Sequence, residues 1–234
     1  MREQRLIVIA SHNRSKSREI EQLLREGLAD LPVEIRLLAD YPDAPPAPHE
    51  TADSYVGNAL IKARACTAFT QAMSFADDAG LEIDALNGKP GMYSRRFAGE
   101  ETSFSVKMGL LLEMLREVPA ERRMARFRCA VAIALPDGTT YTFEDTLEGR
   151  IADAPRGQAG FGYDPIFYVP ALGCTLAELP AAFKNRISHR AKVMRQAIPC
   201  LRTLLQGAAK GAGEPMAGIA LLAPNFRCEG GNQC

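Results

Sequence analysis

Two aspartates side by side in an apolar run constrain this chain more than any other feature. The run is Ser74-Phe-Ala-Asp-Asp-Ala-Gly-Leu-Glu-Ile-Asp-Ala-Leu86. It reads as a short buried strand that ends in Asp77 and Asp78, a turn at Gly80, and a second strand. Adjacent like charges raise each other's pKa, and burial raises it again. A fold that sets the pair at a strand end needs a cation to offset that cost, and hard carboxylate oxygens suit Mg2+. Taken alone, the stretch fits a solvated Asp-Asp turn equally well.

The surrounding pattern is that of an α/β protein. Residues 5–10, RLIVIA, form a continuous apolar run of the buried-strand type. A polar turn, Ser11 to Lys16, leads into a helical pattern with Ile20, Leu23 and Leu24 on one face. Residues 33–38 read as a second strand, and the Pro-rich, acidic stretch 40–52 as a loop. Asp53 or Ser54 can cap a helix running to about residue 72. Thr102 starts a helix that reaches Leu115. Phe127–Leu135 and residues 139–149 flank Pro136-Asp-Gly138 as a hairpin. A last helix runs from about Ser188 to Leu205. We read residues 1–206 as one domain and 207–234, rich in Gly, Ala and Pro, as a loosely ordered tail.

Four polar clusters fall at strand ends or turns, where α/β sheets bind ligands. Ser11-x-Asn13-x-x-Lys16 sits at a strand-to-helix junction, where backbone N–H groups and a lysine favour an anion. It lacks the glycines of a Walker A loop, and an ordinary helix cap has the same spacing. Glu50 with Asp77 and Asp78 could hold one or two Mg2+ ions and position a water for attack on phosphorus. In Gly160-Phe-Gly-Tyr-Asp-Pro165 the glycines admit close backbone approach, and Phe161 or Tyr163 could stack on a flat base. Lys184, His189 and Arg190 are suitable donors to a phosphate or a purine carbonyl.

Together these segments resemble the inosine/xanthosine triphosphate pyrophosphatase family over roughly residues 5–205. The resemblance is carried by SHNRSK, ETADSYVGNALIKA, FADDAGLEIDALNGKPGMYSRRFAG, GFGYDPIF and AELPAAFKNRISHR. It implies an elongated mixed central sheet flanked by helices, in two lobes with a nucleotide cleft between them, and usually a homodimer. It implies hydrolysis of ITP, dITP and XTP between the α- and β-phosphates, which cleanses the nucleotide pool. By motif, Ser11, His12, Asn13, Arg14, Ser15 and Lys16 hold the triphosphate, with Asn13 and Lys16 in direct contact. Asp78 corresponds to the proton acceptor and metal ligand. Asp77 and Glu50 belong to the same acidic cluster, and Ala79 follows it in the substrate site. Phe161, Gly162, Tyr163, Asp164, Lys184, His189 and Arg190 correspond to nucleotide-contacting residues, and Mg2+ is the implied cofactor.

Three positions depart from that pattern. Gly57 stands where members commonly have a Glu, Ala79 replaces a Ser or Thr, and Phe183 replaces a Glu. A Glu at 57 would extend the oxygen shell around Mg2+, so its loss also admits a nucleotide-binding protein with weakened catalysis. A pyrophosphatase for other modified nucleotides is a third reading. The formal net charge is +0, which argues against a broad nucleic-acid-binding face. No apolar run is long enough to span a bilayer, and the N-terminus has no cleavable apolar leader. A cytoplasmic protein with reduced thiols is the expectation, since its cysteines show no paired metal-binding spacing.

Overall fold

The computed structural model of the chain describes residues 5–207 and 227–228. The expected loose order of 207–234 falls outside that description, except at Gly207, which closes the last helix, and at a short strand, Arg227–Cys228. The strands are β1 (Arg5–Ile9), β2 (Val33–Leu37), β3 (Met73–Ile83), β4 (Pro90–Gly91), β5 (Met124–Ala134), β6 (Thr140–Ile151), β7 (Phe167–Val169), β8 (Cys174–Thr175) and β9 (Arg227–Cys228). The helices are α1 (Arg14–Gly27), α2 (Tyr55–Thr70), α3 (Phe104–Met114), α4 (Ala181–Ile187) and α5 (His189–Gly207).

The strands form one mixed sheet in the order β2-β1-β3-β5-β6-β7-β8, with β4 on β3 and β9 on β6. β1 runs parallel to both β2 and β3. Its Ile7, Val8 and Ile9 are all fully buried, which is why its sequence is apolar without alternation. β4, β7, β8 and β9 pair antiparallel with their neighbours. The expected hairpin is present. Gly138, at φ +89°, donates its N–H to Leu135, and Asp137 accepts the N–H of Thr139. The mixed α/β class read from the sequence is the class observed.

The described residues fall into two compact units, one within Met1–Asp78, Ala130–Glu144 and Lys192–Cys234, the other within Ala79–Cys129 and Asp145–Ala191. The first has a core of Val8, Leu38, Ala59, Leu60, Ala63 and Ala76 with their neighbours. The second is built on Leu81, Ile83, Leu111, Phe127, Ile166 and Phe167 with theirs. Cys66, Cys129 and Cys200 are buried and Cys174 partly so. Among the described residues no helix is long and apolar enough to cross a membrane.

Two local readings are corrected. The expected turn at Gly80 does not form: β3 is one continuous strand through Asp77, Asp78 and Gly80. Phe75 and Ala76 before the pair, and Leu81 and Ile83 after it, are all buried, so both halves are held in the sheet and glycine simply stays extended. The last helical region is two helices. Ser188, with extended dihedrals (φ −60°, ψ 156°), ends α4, and its hydroxyl accepts the N–H of Ala191 in the first turn of α5.

Candidate active site

In the first unit, the sheet itself makes room for the acidic pair. β1 pairs with β3 only as far as Phe75, and the N–H of Ala10 reaches the Phe75 carbonyl at 2.8 Å before the chain turns into α1. Beyond that point β3 continues with Asp77 and Asp78 while its parallel neighbour has left. Ser11 accepts the N–H of Asn13 at 3.2 Å, and Asn13 accepts the N–H of Lys16 at 3.1 Å as the N-cap of α1. Asn13 therefore fixes the helix start as well as lying in the candidate phosphate loop. The Lys16 ammonium lies 3.0 Å from Asp77 Oδ1 and 3.3 Å from the Asp77 carbonyl oxygen. Arg14 and Ser15 occupy the exposed first turn of α1. His12 Nε2 donates to the Pro45 carbonyl at 3.1 Å, tying the turn to the Pro-rich loop.

Helix α2 supplies the other side of the cluster. Ser54 is its N-cap and accepts the N–H of Gly57 at 3.2 Å. One of its residues was not singled out by sequence reasoning. Lys62 donates to Asp78 Oδ1 at 2.8 Å and to Glu50 Oε1 at 2.9 Å, with only 13% of its side chain exposed. The available signal was its spacing. Asn58 and Lys62 are four apart, on the same face of a helix otherwise rich in Ala. Asn58 also meets this site, its Nδ2 lying 3.4 Å from Asp78 Oδ2.

The three expected carboxylates are thus divided between two lysines: Asp77 holds Lys16, while Asp78 and Glu50 share Lys62. Burial pushes Asp78 above the ordinary carboxylate range, with Lys62 and Lys16 pulling back. For Lys62, burial opposes the charge, but Asp78, Asp77 and Glu50 outweigh it and the pKa rises. Three carboxylates thus act on the one Lys62 ammonium, and burial makes the Asp78 carboxylate more basic. Among the described residues no group of three His, Cys, Asp or Glu side chains is placed to hold a metal ion. The donor chemistry still fits Mg2+, which binds through one or two carboxylates and completes its shell with water and substrate phosphates.

The space beside Gly57 is filled. A Cβ there would lie 2.5 Å from the Ala52 Cβ and 3.1 Å from Ser54 Oγ. A side chain at 57 requires Ala52 to move, so the chain does not hold an open seat for a missing carboxylate.

In the second unit, Asp164 organises the glycine-punctuated turn. Its Oδ2 accepts the N–H of Phe161 at 2.9 Å and the Lys184 ammonium at 2.6 Å. Gly160, at φ +77°, brings its backbone so close that a Cβ would fall 2.1 Å from the same oxygen. Lys184 lies 4.5 Å from the centre of the Phe161 ring, and the Arg190 guanidinium 5.7 Å. These positions bring Phe161, Asp164, Lys184 and Arg190 into one cluster. Phe161 and Gly162 are half-buried, whereas Tyr163 is core. Tyr163 donates to the Ser94 carbonyl at 2.8 Å and packs edge-on against Phe104, and burial pushes its pKa up. Of the two aromatics offered for stacking, only Phe161 keeps part of its surface exposed. His189 is buried and stacks on Phe127, ring centres 4.7 Å apart. Ala79 has only backbone polar atoms to offer. Phe183 is exposed, with the Arg186 guanidinium 5.8 Å from its ring centre.

A mixed central sheet flanked by helices is the α/β fold of solved Ham1 proteins. Residues 7–200 match the Ham1 family, and the chain belongs to it. Among its relatives is a dITP/XTP pyrophosphatase of Geobacillus kaustophilus, 47% identical over 80% of this chain and 90% of that protein. A solved HAM1 protein from Coxiella burnetii superposes with a TM-score of 0.76 at 37% identity, covering 85% of this chain and 99% of the other. A nucleoside-triphosphatase / dITP/XTP pyrophosphatase from Mycobacterium abscessus gives 0.63 at 39% identity, covering 85% and 97%.

Proposed function

We propose that the chain hydrolyses the purine nucleoside triphosphates dITP, XTP and ITP to the monophosphate and pyrophosphate, removing deaminated purines from the nucleotide pool. The observation that carries this reading is the buried Asp78–Lys62–Glu50 cluster beside Lys16, in a chain 47% identical to a dITP/XTP pyrophosphatase.

Water attack on the α-phosphorus needs a base for the water's proton and positive charge around the triphosphate. Asp78 takes the proton, and burial raises its basicity toward that task. Lys16 and Lys62 provide fixed positive charge, and the N–H groups of the first turn of α1 favour phosphate oxygens. The new bond forms between the water oxygen and the α-phosphorus, and the bond to the bridging oxygen breaks, with the electron pair leaving on pyrophosphate. Mg2+, held by Glu50 and Asp78, would supply further charge neutralisation of the triphosphate. Asp77 orients Lys16.

On the second unit, Phe161 offers a ring face for the base. Lys184, His189, Arg190 and the backbone of Phe161–Asp164 are the donors assigned to a 6-oxo purine. A donor left unpaired by the 6-amino group of adenine disfavours ATP. That Asp78, Glu50 and Lys62 are assembled without a carboxylate at 57 supports an active enzyme over a decayed binder. The reading includes a cytoplasmic homodimer, and sedimentation equilibrium of the purified chain tests the assembly. The activity is tested by pyrophosphate release with Mg2+ from dITP, XTP, ITP, GTP and ATP. Turnover of the first three well above the last two is expected; equal turnover of all five, or none, refutes it.

A further inference from the structure

We propose that Asn58 is a positioning residue that sets both Asp78 and the segment carrying Glu50, and that Gly57 is the gap which lets it do so. The proposal rests on the activity proposed above for Asp78, but its geometry stands independently. Asn58 is 1% exposed, in the second turn of α2. Its Oδ1 accepts the N–H of Ala52 at 3.1 Å, and its Nδ2 faces Asp78 Oδ2 at 3.4 Å. A side-chain amide is the neutral group that accepts at one atom and donates at another across so short a span. One turn along α2, Lys62 takes the other oxygen of the same carboxylate at 2.8 Å. The two oxygens of Asp78 are therefore held by residues i and i+4 of one helix, which fixes the plane of the carboxylate.

The same amide seats the loop. Ala52 lies two residues after Glu50, and Glu50 reaches Lys62 at 2.9 Å. For the Ala52 N–H to reach Asn58, Ala52 must come down onto the helix. Its Cβ occupies the place a side chain at 57 would need, 2.5 Å from the ideal Cβ position. Glycine at 57 and asparagine at 58 act as one device: the first removes the obstruction, and the second supplies the hydrogen bond. Loss of the amide would free the Glu50 segment and the Asp78 carboxylate together. Misplacement of reacting groups by about 1 Å can cost on the order of a hundredfold in rate.

The full-length protein is used in the test, with Asn58→Ala, Asn58→Asp and Gly57→Ala, each held well below its own melting temperature. Two quantities are read: amide hydrogen exchange of the peptide containing residues 50–54 in nucleotide-free protein, and kcat and KM for dITP with Mg2+. Asn58→Ala should speed exchange in that peptide by roughly threefold to tenfold, the equivalent of one lost hydrogen bond. It should lower kcat by at least about tenfold with KM within about threefold, since orientation and not uniform binding is lost. Asn58→Asp keeps the acceptor for Ala52, so exchange should match the parent, while kcat falls because Asp78 now faces a like charge. Gly57→Ala should speed exchange with Asn58 intact, and it answers the loop half of the proposal if Asn58→Ala does not fold. Variants that lose only melting temperature, with exchange and kcat within about twofold of the parent, a difference of under 0.5 kcal/mol, overturn the proposal. A parent without turnover of dITP or XTP would overturn the activity instead, and exchange alone would then decide whether Asn58 and Gly57 seat the loop.

Discussion

Replacing Lys62 by Met should destabilise the protein in a pH-dependent way, and the size of the effect follows from the site. Methionine nearly conserves the volume of the stem and removes the ammonium. Asp78, with 9% of its side chain exposed, then loses its 2.8 Å partner. Breaking a buried pair by removing one member typically costs about 3–5 kcal/mol. Asp78 has an escape, which is to take up a proton. Its unfolded carboxyl titrates near 3.9, and each pH unit from there to 7 costs about 1.4 kcal/mol, so the penalty is capped at about 4 kcal/mol at neutral pH. Glu50, more open to water, adds less. The sign follows from linkage. In the variant the folded pKa of Asp78 lies further above its unfolded value, so the penalty is absent below the unfolded pKa and grows as pH rises toward the folded one. Urea denaturation of parent and variant at about pH 7 and about pH 5.5 should show a gap that shrinks by up to about 2 kcal/mol at the lower pH. A gap that does not change with pH, or one below about 1 kcal/mol at neutral pH, where breaking a buried pair should cost several times more, would refute the argument that Lys62 compensates a buried carboxylate.

Asp78→Asn keeps the size of the side chain and removes its basicity, so kcat for dITP should fall by about a hundredfold or more; pyrophosphate release within about threefold of the parent, under 1 kcal/mol, would remove Asp78 from its role. Arg190→Ala and His189→Ala should narrow the ratio of kcat/KM between ITP and ATP, and His189→Ala should also lower the melting temperature because the ring stacks on Phe127 at 4.7 Å; an unchanged ratio in both would assign base reading to the backbone of Phe161–Asp164. Asp164→Asn should loosen the 160–164 turn and raise KM for dITP, since one oxygen holds both the Phe161 N–H and Lys184; an unchanged KM would show that the turn orders without it. Asp30 is held down to about 2 by its hydrogen bonds from Arg202. Its folded pKa lies below the unfolded one, so its contribution is present above about pH 3.8 and is lost as pH falls toward 2. Melting curves of parent and Asp30→Asn should accordingly differ at neutral pH and converge at the acid end, and a gap that persists there would contradict the assignment.

What the sequence determined by itself was whatever local chemistry controls. The apolar run of β1 and the Pro136-Asp-Gly138 turn follow from contacts within a few residues and stand where expected, and of Asp53 and Ser54, both offered as the cap of α2, Ser54 is the one that caps it. Motif order along the chain is enough to put Ser11 to Lys16, Asp78 and Lys184 to Arg190 in candidate roles. The tertiary structure decided what depends on partners far away in sequence. Gly80 looked like a turn because its own neighbours permit one, but burial on both sides of the acidic pair keeps β3 extended. Asp77 and Asp78 are adjacent in the chain yet serve different lysines, because successive residues of a strand point to opposite faces. Tyr163 and Phe161 are chemically similar candidates, and only packing against Phe104 and Ser94 commits one of them to the core. Gly57 reads from the sequence as an absent carboxylate, and only the fold shows that the Ala52 methyl lies where its side chain would start. Propensity and spacing are properties of neighbours, whereas the partner of a buried charge and the room for a Cβ are set by whichever distant segment the fold brings against them.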